Sequence, residues 1–227
     1  MDVRGGQHLP VVRTALAGLA RLNARHPWSH NDHFHPWLLR RLPEPCRLAV
    51  DVGCGQGLLV ARLAARAERV VGIDVDPHMR EEASLRSRDL TNVTITDACL
   101  PNVAAEHGAV DAVTMVAVLH HLEAAEALTQ VREALAPGGR FLAVGLAPPV
   151  TARDAVWELA SAVTNPLIGM VKHPRPSRAA PAPDAFPVAD PTRSFGEIRT
   201  LLDAVMPGAR LQHRLGFRHT IAWTKPR

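Results

Sequence analysis

The stretch Val50-Asp51-Val52-Gly53-Cys54-Gly55-Gln56-Gly57 decides the fold of this chain. An apolar run leads into it and a helix-forming run over 58–67 follows, so it joins a predicted strand to a predicted helix. Its glycines suit a turn with unusual dihedrals, and they let a ligand approach main-chain amides without a Cβ in the way. Asp74 ends the next apolar run, about 20 residues on, where it is placed to accept hydrogen bonds from ribose hydroxyls. This pattern predicts a site for a cofactor that contains adenosine.

The spacing of the glycines distinguishes between two such cofactors. The dinucleotide fingerprint G-x-G-x-x-G needs its third glycine at position 58, which is Leu58 here. The chain has G-x-G-x-G instead, with Asp51 two residues before the first glycine. A carboxylate at the mouth of the loop would repel a pyrophosphate, whereas it suits a ligand with an ammonium and a sulfonium group. The residues therefore favour S-adenosylmethionine over a nicotinamide dinucleotide.

The segment from Asp51 to Gly57 resembles motif I of the class I S-adenosylmethionine-dependent methyltransferases. A second segment, Asp111-Ala-Val-Thr-Met-Val-Ala-Val-Leu-His-His-Leu122, resembles the small-molecule branch of that family, the ubiquinone-biosynthesis-like methyltransferases of type 11. The Asn/Asp-Pro-Pro-aromatic segment of methyltransferases that act on amino groups of DNA, RNA or glutamine is missing there. The resemblance covers residues 47–145 well and the flanks loosely. It implies methyl transfer to a small-molecule acceptor, at O, N or C, either in bacterial specialised metabolism or on a quinone-like or aromatic acceptor.

The order of apolar and helix-forming runs predicts an α/β fold with a doubly wound, mostly parallel, Rossmann-like sheet. A terminal antiparallel hairpin and an N-terminal helical lid complete the expected architecture. The predicted strands are 47–52, 69–74, 93–96, 110–116 and 139–145, and the hairpin comprises 210–215 and 219–224. The predicted helices are 9–24, 33–42, 57–67, 78–89, 124–136, 152–163 and 194–206.

The whole chain, 1–227, is expected to form a single methyltransferase domain. Within it we predict a helical lid over 1–45, a cofactor-binding core over 46–145, a cap over 146–193 and a final helix and hairpin over 194–227. The cap contains a proline-rich insertion, 172–191, which cannot hold regular structure for long. This insertion is either a mobile linker or an ordered cap over the edge of the sheet.

The composition of the chain argues against several classes of function. The chain has 227 residues, a formal net charge of +4 and 47% hydrophobic residues, which are ordinary values for a globular protein. No apolar stretch approaches the roughly 20 residues that a membrane span needs. The cationic residues are scattered and tyrosine is absent, so nucleic acid is not the expected partner. Three cysteines are too few for a disulfide framework or a zinc site, so we expect a cytoplasmic protein without a metal.

The resemblance assigns roles to residues at the carboxyl ends of four strands. Asp51 would hold the methionine ammonium, directly or through water. Asp74 would hold the ribose, and Val75 would line one side of the adenine. Asp97 would accept from the exocyclic amine, while the Ala98 amide donates to the ring. These acids are alternatively only turn formers at strand ends. The complete predicted cofactor set is Asp51, Gly53, Cys54, Gly55, Gly57, Asp74, Val75, Asp97, Ala98, Val116, Ala117 and His121.

Methyl transfer to an acceptor that keeps a proton requires a base, and histidine is the natural candidate near neutral pH. His120 and His121 follow the fourth strand, and one of them is expected to face the site. A second histidine cluster, His30, His33 and His35, precedes the sheet. Its spacing does not bring the imidazoles together well around a metal ion. The resemblance places it over the bound cofactor, where Trp28, His30, His33 and His35 become lid and acceptor contacts. Alternatively, the segment is an amphipathic helix whose aromatic residues only dock on the core. Further aromatic candidates for the acceptor pocket are Phe34, Trp37, Trp157 and Phe186.

Three other functions remain open at this point. Methylation of RNA is favoured only by the sequence pI of about 9.6. A nicotinamide-dependent oxidoreductase is disfavoured by Asp51 and Leu58. The last alternative is a cofactor-binding domain without catalysis.

Overall fold

The computed structural model describes residues 28–172 and 190–227. The predicted helix 9–24, nearly all of the proline-rich insertion and Phe186 therefore lie outside the described residues. Within the described ranges, no helix is long and apolar enough to cross a membrane.

A seven-stranded sheet forms the centre of the described part, in the order β3-β2-β1-β4-β5-β7-β6. The first five strands in this order run parallel, and β7 pairs antiparallel with both β5 and β6. The predicted doubly wound sheet with its terminal hairpin is thereby confirmed. The strands are β1 (Leu48–Val52), β2 (Arg69–Ile73), β3 (Val93–Thr96), β4 (Val110–Val116), β5 (Leu135–Gly145), β6 (Arg210–Arg214) and β7 (Arg218–Thr224).

Helices cover both faces of the sheet, because its parallel strands are apolar on both sides. Leu38, Leu63 and Ala83 belong to the core on one face, whereas Leu128 and Leu202 belong to the core on the other. The helices are α1 (His35–Leu39), α2 (Leu58–Leu63), α3 (Pro77–Ser87), α4 (Leu100–His107), α5 (Ala124–Ala134), α6 (Ala152–Lys172) and α7 (Phe195–Val205).

Several predicted helix boundaries are wrong. Helix α2 ends at Leu63 rather than at 67, and the predicted helix 33–42 is a 3-10 turn followed by the short α1. Helix α4, which has only eight residues and Pro101 in its first turn, was not predicted. Helix α6 continues to Lys172 although Pro166 lies inside it. Its buried face, which includes Ser161, Asn165 and Gly169, keeps the helix packed beyond the proline.

The boundary between α5 and β5 also differs from the prediction. A helix over 124–136 and a strand over 139–145 were predicted, but α5 ends at Ala134 and β5 already begins at Leu135, so the segment Pro137-Gly138-Gly139 belongs to the strand. Gly138 donates to the Lys225 carbonyl at 2.9 Å, and Lys225 donates back to Gly139 at 2.9 Å. Long-range backbone pairing with the end of the chain therefore holds this segment in the sheet.

Candidate functional site

The loop over 53–57 lies at the carboxyl end of β1, between β2 and β4. The backbone amides of Gly53 and Cys54 both donate to the Ile73 carbonyl, at 2.7 and 2.9 Å, which fastens the loop to β2. Gly57 has φ +76°, and a Cβ there would lie 2.9 Å from Ala83 of α3. Gly55 has φ +51°, and a Cβ there would meet no atom within 4 Å. The end of the loop is therefore packed, while its middle faces open space in which a ligand can approach the backbone.

Asp74 lies beside this loop, directly after β2. Its Oδ2 accepts from the Gly55 amide at 2.8 Å and its Oδ1 accepts from the Asp76 amide at 2.9 Å. Asp76 in turn caps α3 by accepting from the amide of His78 at 2.8 Å. The Asp74 carboxylate is thus held in place by backbone donors, and its remaining lone pairs are available to hydroxyl groups.

Asp51 is a buried acid on β1, with only 3% of its surface exposed. The hydroxyl of Thr114 on β4 donates to its Oδ1 at 2.6 Å. The pKa of Asp51 is raised to about 7, mainly by burial; the Thr114 hydrogen bond lowers it, and the nearby charge of Asp74 contributes to the rise. A buried acid in this state is well suited to a cationic group, because a cation favours its charged form.

The residues predicted to contact adenine are among the more exposed ones. Val75 is 87% exposed. The Asp97 side chain is 71% exposed, and its Oδ2 lies 3.4 Å from the Arg80 guanidinium. The Ala98 amide, predicted to donate to the adenine ring, donates to the Thr96 hydroxyl at 3.1 Å. The structure therefore brings these residues to the same edge of the sheet as Asp74, and their contacts with adenine stay a prediction.

The segment after β4 carries the two candidate bases. Ala117 has φ 57°, and its amide donates to the Val144 carbonyl of β5 at 2.7 Å. The rings of His120 and His121 then lie with centroids 4.0 Å apart. His121 is exposed, whereas the Nδ1 atom of His120 is buried and has no partner among the described residues. Burial, followed by the charges of His121 and Arg218, lowers the pKa of His120 to about 4.

The predicted lid residues lie in two different parts of the structure. Trp28 donates from Nε1 to the Asn165 carbonyl at 3.2 Å, and His30 Nε2 lies 2.6 Å from Asn165 Oδ1, so both residues contact α6. His33 is exposed and contacts the edge of Trp28, with ring centroids 5.3 Å apart. His35 instead lies buried against α2, where its Nδ1 is 2.9 Å from Arg62 Nη1, and burial lowers its pKa to about 4. The structure thus places Trp28 and His30 beside the cap and His35 in the core.

The hairpin contributes residues that were not predicted from the sequence. His213 and His219 pair across β6 and β7, and the ring of His213 stacks on Phe195 at 3.7 Å. His219 is 3% exposed, its Nε2 has no partner among the described residues, and burial lowers its pKa to about 3. Both histidines line a small cavity of about 40 Å³ next to the loop after β5. Their symmetric spacing around Gly216 was the sequence signal that could have revealed them.

Among the described residues, no group of three or more His, Cys, Asp or Glu side chains is arranged to hold a metal ion. The groups that the structure gathers at this edge of the sheet are the backbone loop, two acids and several imidazoles. They can bind a cationic, hydroxylated ligand and position an acceptor next to it.

Several known proteins that resemble this chain in sequence are methyltransferases, whose cofactor would be such a cationic, hydroxylated ligand. Residues 50–143 match a family described as a methyltransferase domain. An uncharacterized methyltransferase of Mycobacterium tuberculosis is 32% identical over 205 residues, which cover 88% of this chain and 98% of that protein. A ubiquinone biosynthesis O-methyltransferase of Chromobacterium violaceum is 37% identical over 94 residues, or 40% of each chain.

Solved structures show the same fold at low sequence identity. The N-methyltransferase NodS of Bradyrhizobium japonicum, in complex with S-adenosylhomocysteine, aligns with a TM-score of 0.55 at 17% identity, covering 93% of this chain and 98% of NodS. An O-methyltransferase family protein of Burkholderia thailandensis aligns with a TM-score of 0.57 at 18% identity, covering 96% of this chain and 61% of that one. The chain belongs to the class I S-adenosylmethionine-dependent methyltransferases.

Proposed function

We propose that this methyltransferase acts on a small molecule, at O, N or C, in bacterial specialised metabolism. The observation that carries the proposal is the set of contacts that joins three segments on the acceptor side of the site. Trp28 and His30 contact Asn165 of α6, and Arg218 of the hairpin donates to Asn31 Oδ1 at 3.1 Å. These contacts tie the N-terminal segment, the cap helix and the hairpin together over the ends of β5 and β7. An acceptor must therefore enter a pocket, which suits a small molecule better than a polymer.

The residues present fit the cofactor at the loop of β1. Gly55 leaves room for a ligand against the backbone, and the raised pKa of the buried Asp51 indicates an acid that a cation would stabilise. We assign Asp51 to the ammonium of the methionine part and Asp74 to the ribose hydroxyls. The remaining contacts in this proposal are the amides of the loop (Gly53, Cys54, Gly55, Gly57), the adenine contacts Val75, Asp97 and Ala98, and the methionine contacts Val116, Ala117 and His121.

When bound, S-adenosylmethionine supplies a methyl carbon that its positive sulfur activates for displacement. The chain then has two tasks: to hold the acceptor atom in line with this carbon and to keep water away. His120 is a neutral imidazole at pH 7, because its pKa is about 4. A base with so low a pKa is a weak proton acceptor at neutral pH. We therefore assign His120 a hydrogen-bonding role toward the acceptor, and the main contribution to the rate is positioning.

The cellular setting forms part of the same proposal. All three cysteines, Cys46, Cys54 and Cys99, are free thiols in the structure. Free thiols persist in reducing compartments, so we propose that the reaction takes place in the cytoplasm.

Incubation with S-adenosylmethionine labelled at the methyl group tests the acceptor class. The protein is offered a panel of phenols, catechols, aromatic acids and amines, and in parallel total bacterial RNA. We expect S-adenosylhomocysteine to form together with a labelled small molecule. Label only in RNA would overturn the proposal in favour of RNA methylation. Tight binding of S-adenosylhomocysteine without transfer to any acceptor would favour the non-catalytic alternative. A thermal shift with S-adenosylhomocysteine, and none with NAD, checks that the nicotinamide-dependent alternative is wrong.

A further inference from the structure

A second, larger cavity of about 870 Å³ opens on the α1–α2 side of the hairpin. We call it the basic groove, and it is defined by Trp28, Trp37, Trp157, Arg62, Lys172 and Arg214. It shares Trp157, His213 and Arg214 with the small cavity that contains His219, so the two cavities adjoin. A ligand in the basic groove would therefore extend toward the acceptor side of the sheet.

The charge of the basic groove is one-sided. Its described lining contains four Arg and Lys side chains, the fourth being Arg40, and one carboxylate, Asp32. Asp32 lies 3.7 Å from His35, and among the described residues no carboxylate forms an ion pair with any of the four cations. The lining therefore creates a positive potential that its single carboxylate compensates only in part.

Arg214 is the cation that is least free to turn toward water. Its guanidinium is half-buried and donates to the neutral oxygens of Thr220 and Gln212, at 3.0 and 2.6 Å. Burial, and then the charge of Arg41, lower its pKa below the ordinary arginine value. A partly desolvated guanidinium without a carboxylate partner gains most from an incoming anion, because such a hydrogen bond is charge-assisted.

The walls of the basic groove also offer flat apolar surfaces. Its three indoles, Trp28, Trp37 and Trp157, are half-buried. The Trp37 Nε1 atom is buried and has no acceptor among the described residues. The Lys172 ammonium lies 4.9 Å above the ring of Trp28, which places positive charge next to an aromatic face. Aromatic rings and positive charges thus line the same groove.

We propose that the basic groove binds a small organic anion with a planar ring, and that this anion is the methyl acceptor or its recognition group. This inference rests on the proposed function, since it names the acceptor class for the same reaction. The indoles would cover the ring, while Arg214, Arg62 and Lys172 would hold the anionic group. The groove volume lies within the range of about 300–1,000 Å³ that is usual for small-ligand pockets. Carboxylate and phosphate share this chemistry.

A matched pair of fluorescent probes tests the inference on the full chain saturated with S-adenosylhomocysteine. Anilinonaphthalene sulfonate is a planar anion, and phenylnaphthylamine is the same ring system without the sulfonate. We expect the sulfonate to bind more tightly than the neutral amine. Arg214→Gln and Lys172→Gln should each weaken the sulfonate about threefold to tenfold and leave the amine unchanged. The control Arg88→Gln removes one charge from an exposed arginine paired with Asp89 and should change neither affinity.

Calorimetry with S-adenosylhomocysteine shows first that each variant is folded. Lys172 is exposed, so Lys172→Gln should leave the fold intact. The inference can then still be tested with this variant if Arg214→Gln does not fold. Equal affinity of wild type for the two probes, or sulfonate binding that neither variant weakens, would overturn the inference. Displacement of the sulfonate by naphthoate or by naphthyl phosphate supports it and ranks carboxylate against phosphate. Stronger displacement by a single-stranded oligoribonucleotide would overturn it. Wild type that binds no S-adenosylhomocysteine would contradict the proposed function itself, whatever the probes do.

Discussion

Thr114 donates a hydrogen bond of 2.6 Å to the carboxyl group of Asp51, its register partner on the neighbouring parallel strand. The pair is buried between β1 and β4, at the point where the order of the sheet reverses. The hydroxyl holds one oxygen of Asp51, while burial keeps the pKa of this acid near 7. The acid that we assign to the methionine ammonium therefore changes its charge within the range of ordinary assays.

The affinity for S-adenosylhomocysteine should depend on pH through Asp51. In the free protein the pKa of Asp51 is about 7, and a bound ammonium favours the carboxylate and lowers that pKa. Binding then releases a proton at pH 6, so the affinity should rise with pH and level off above the free pKa. We expect a gain of about fivefold to tenfold between pH 6 and 8. Calorimetry in buffers of different ionisation enthalpy measures both the affinity and the number of protons released.

Asp51→Asn provides the control for this pH dependence. It should flatten the affinity profile and weaken binding at pH 8 by about 1.5–3 kcal/mol.

The same variant should change the stability of the protein. The pKa of Asp51 is higher in the folded than in the unfolded chain, so its contribution to stability is present at low pH and is lost as pH rises through about 7. The variant should therefore unfold at a higher temperature than wild type at pH 8, without cofactor. If the affinity of Asp51→Asn still rose with pH as in wild type, the assignment of Asp51 to the ammonium would be contradicted.

Asp74→Ala should weaken the binding of S-adenosylhomocysteine strongly. The change removes the acceptor for ribose hydroxyls and also the oxygen that accepts from the Gly55 amide. A loss of about 1.5–3 kcal/mol is expected, or roughly tenfold to a hundredfold in Kd. Asp89→Ala is the matched control, because that side chain is 88% exposed and lies at the end of α3. Unchanged affinity of the Asp74 variant would refute the ribose assignment.

Two glycines of the loop should respond differently to alanine. Gly57→Ala places a Cβ 2.9 Å from Ala83 at φ +76°, so it should lower the free energy of unfolding by about 2–4 kcal/mol. Gly55→Ala meets no atom and should cost only about 1 kcal/mol for its left-handed backbone. Its Cβ, however, enters the space left for the cofactor, so affinity should fall at least about tenfold. Urea unfolding and calorimetry separate the two effects, and equal effects on binding and stability would contradict this division of roles.

His120→Asn should lower kcat about tenfold while the affinity for S-adenosylhomocysteine stays the same. The reason is that its buried Nδ1 atom lacks a partner among the described residues, and we assign it to the acceptor. Since the pKa of His120 is about 4, wild-type kcat should show no step from this residue between pH 6 and 8. His107→Asn, in the last turn of α4, is the control. Turnover that stays at the wild-type rate in the His120 variant would exclude a role for this residue.

The cofactor side was predictable because its signals are local. The glycines after β1, Asp51 before them and Asp74 after β2 lie within 24 residues of sequence, and each occupies a strand end that hydrophobic runs already predict. Parallel pairing then brings the strand ends together without further information. One boundary was predicted wrongly because distant contacts override local preference. The hydrogen bonds between Gly138, Gly139 and Lys225 extend β5 over a segment that otherwise reads as the end of a helix.

The sequence alone therefore determined the fold class and the identity of the cofactor. The reason is that the glycine loop and the two acids that indicate them lie close together in the chain. Only the tertiary structure decided the protonation of Asp51, since its pKa depends on burial and on Thr114, 63 residues away. It also brought together the residues that we propose for the acceptor side. His219, Arg214 and Trp157 come from three elements, and their chemistry depends on packing between segments that are far apart in the chain.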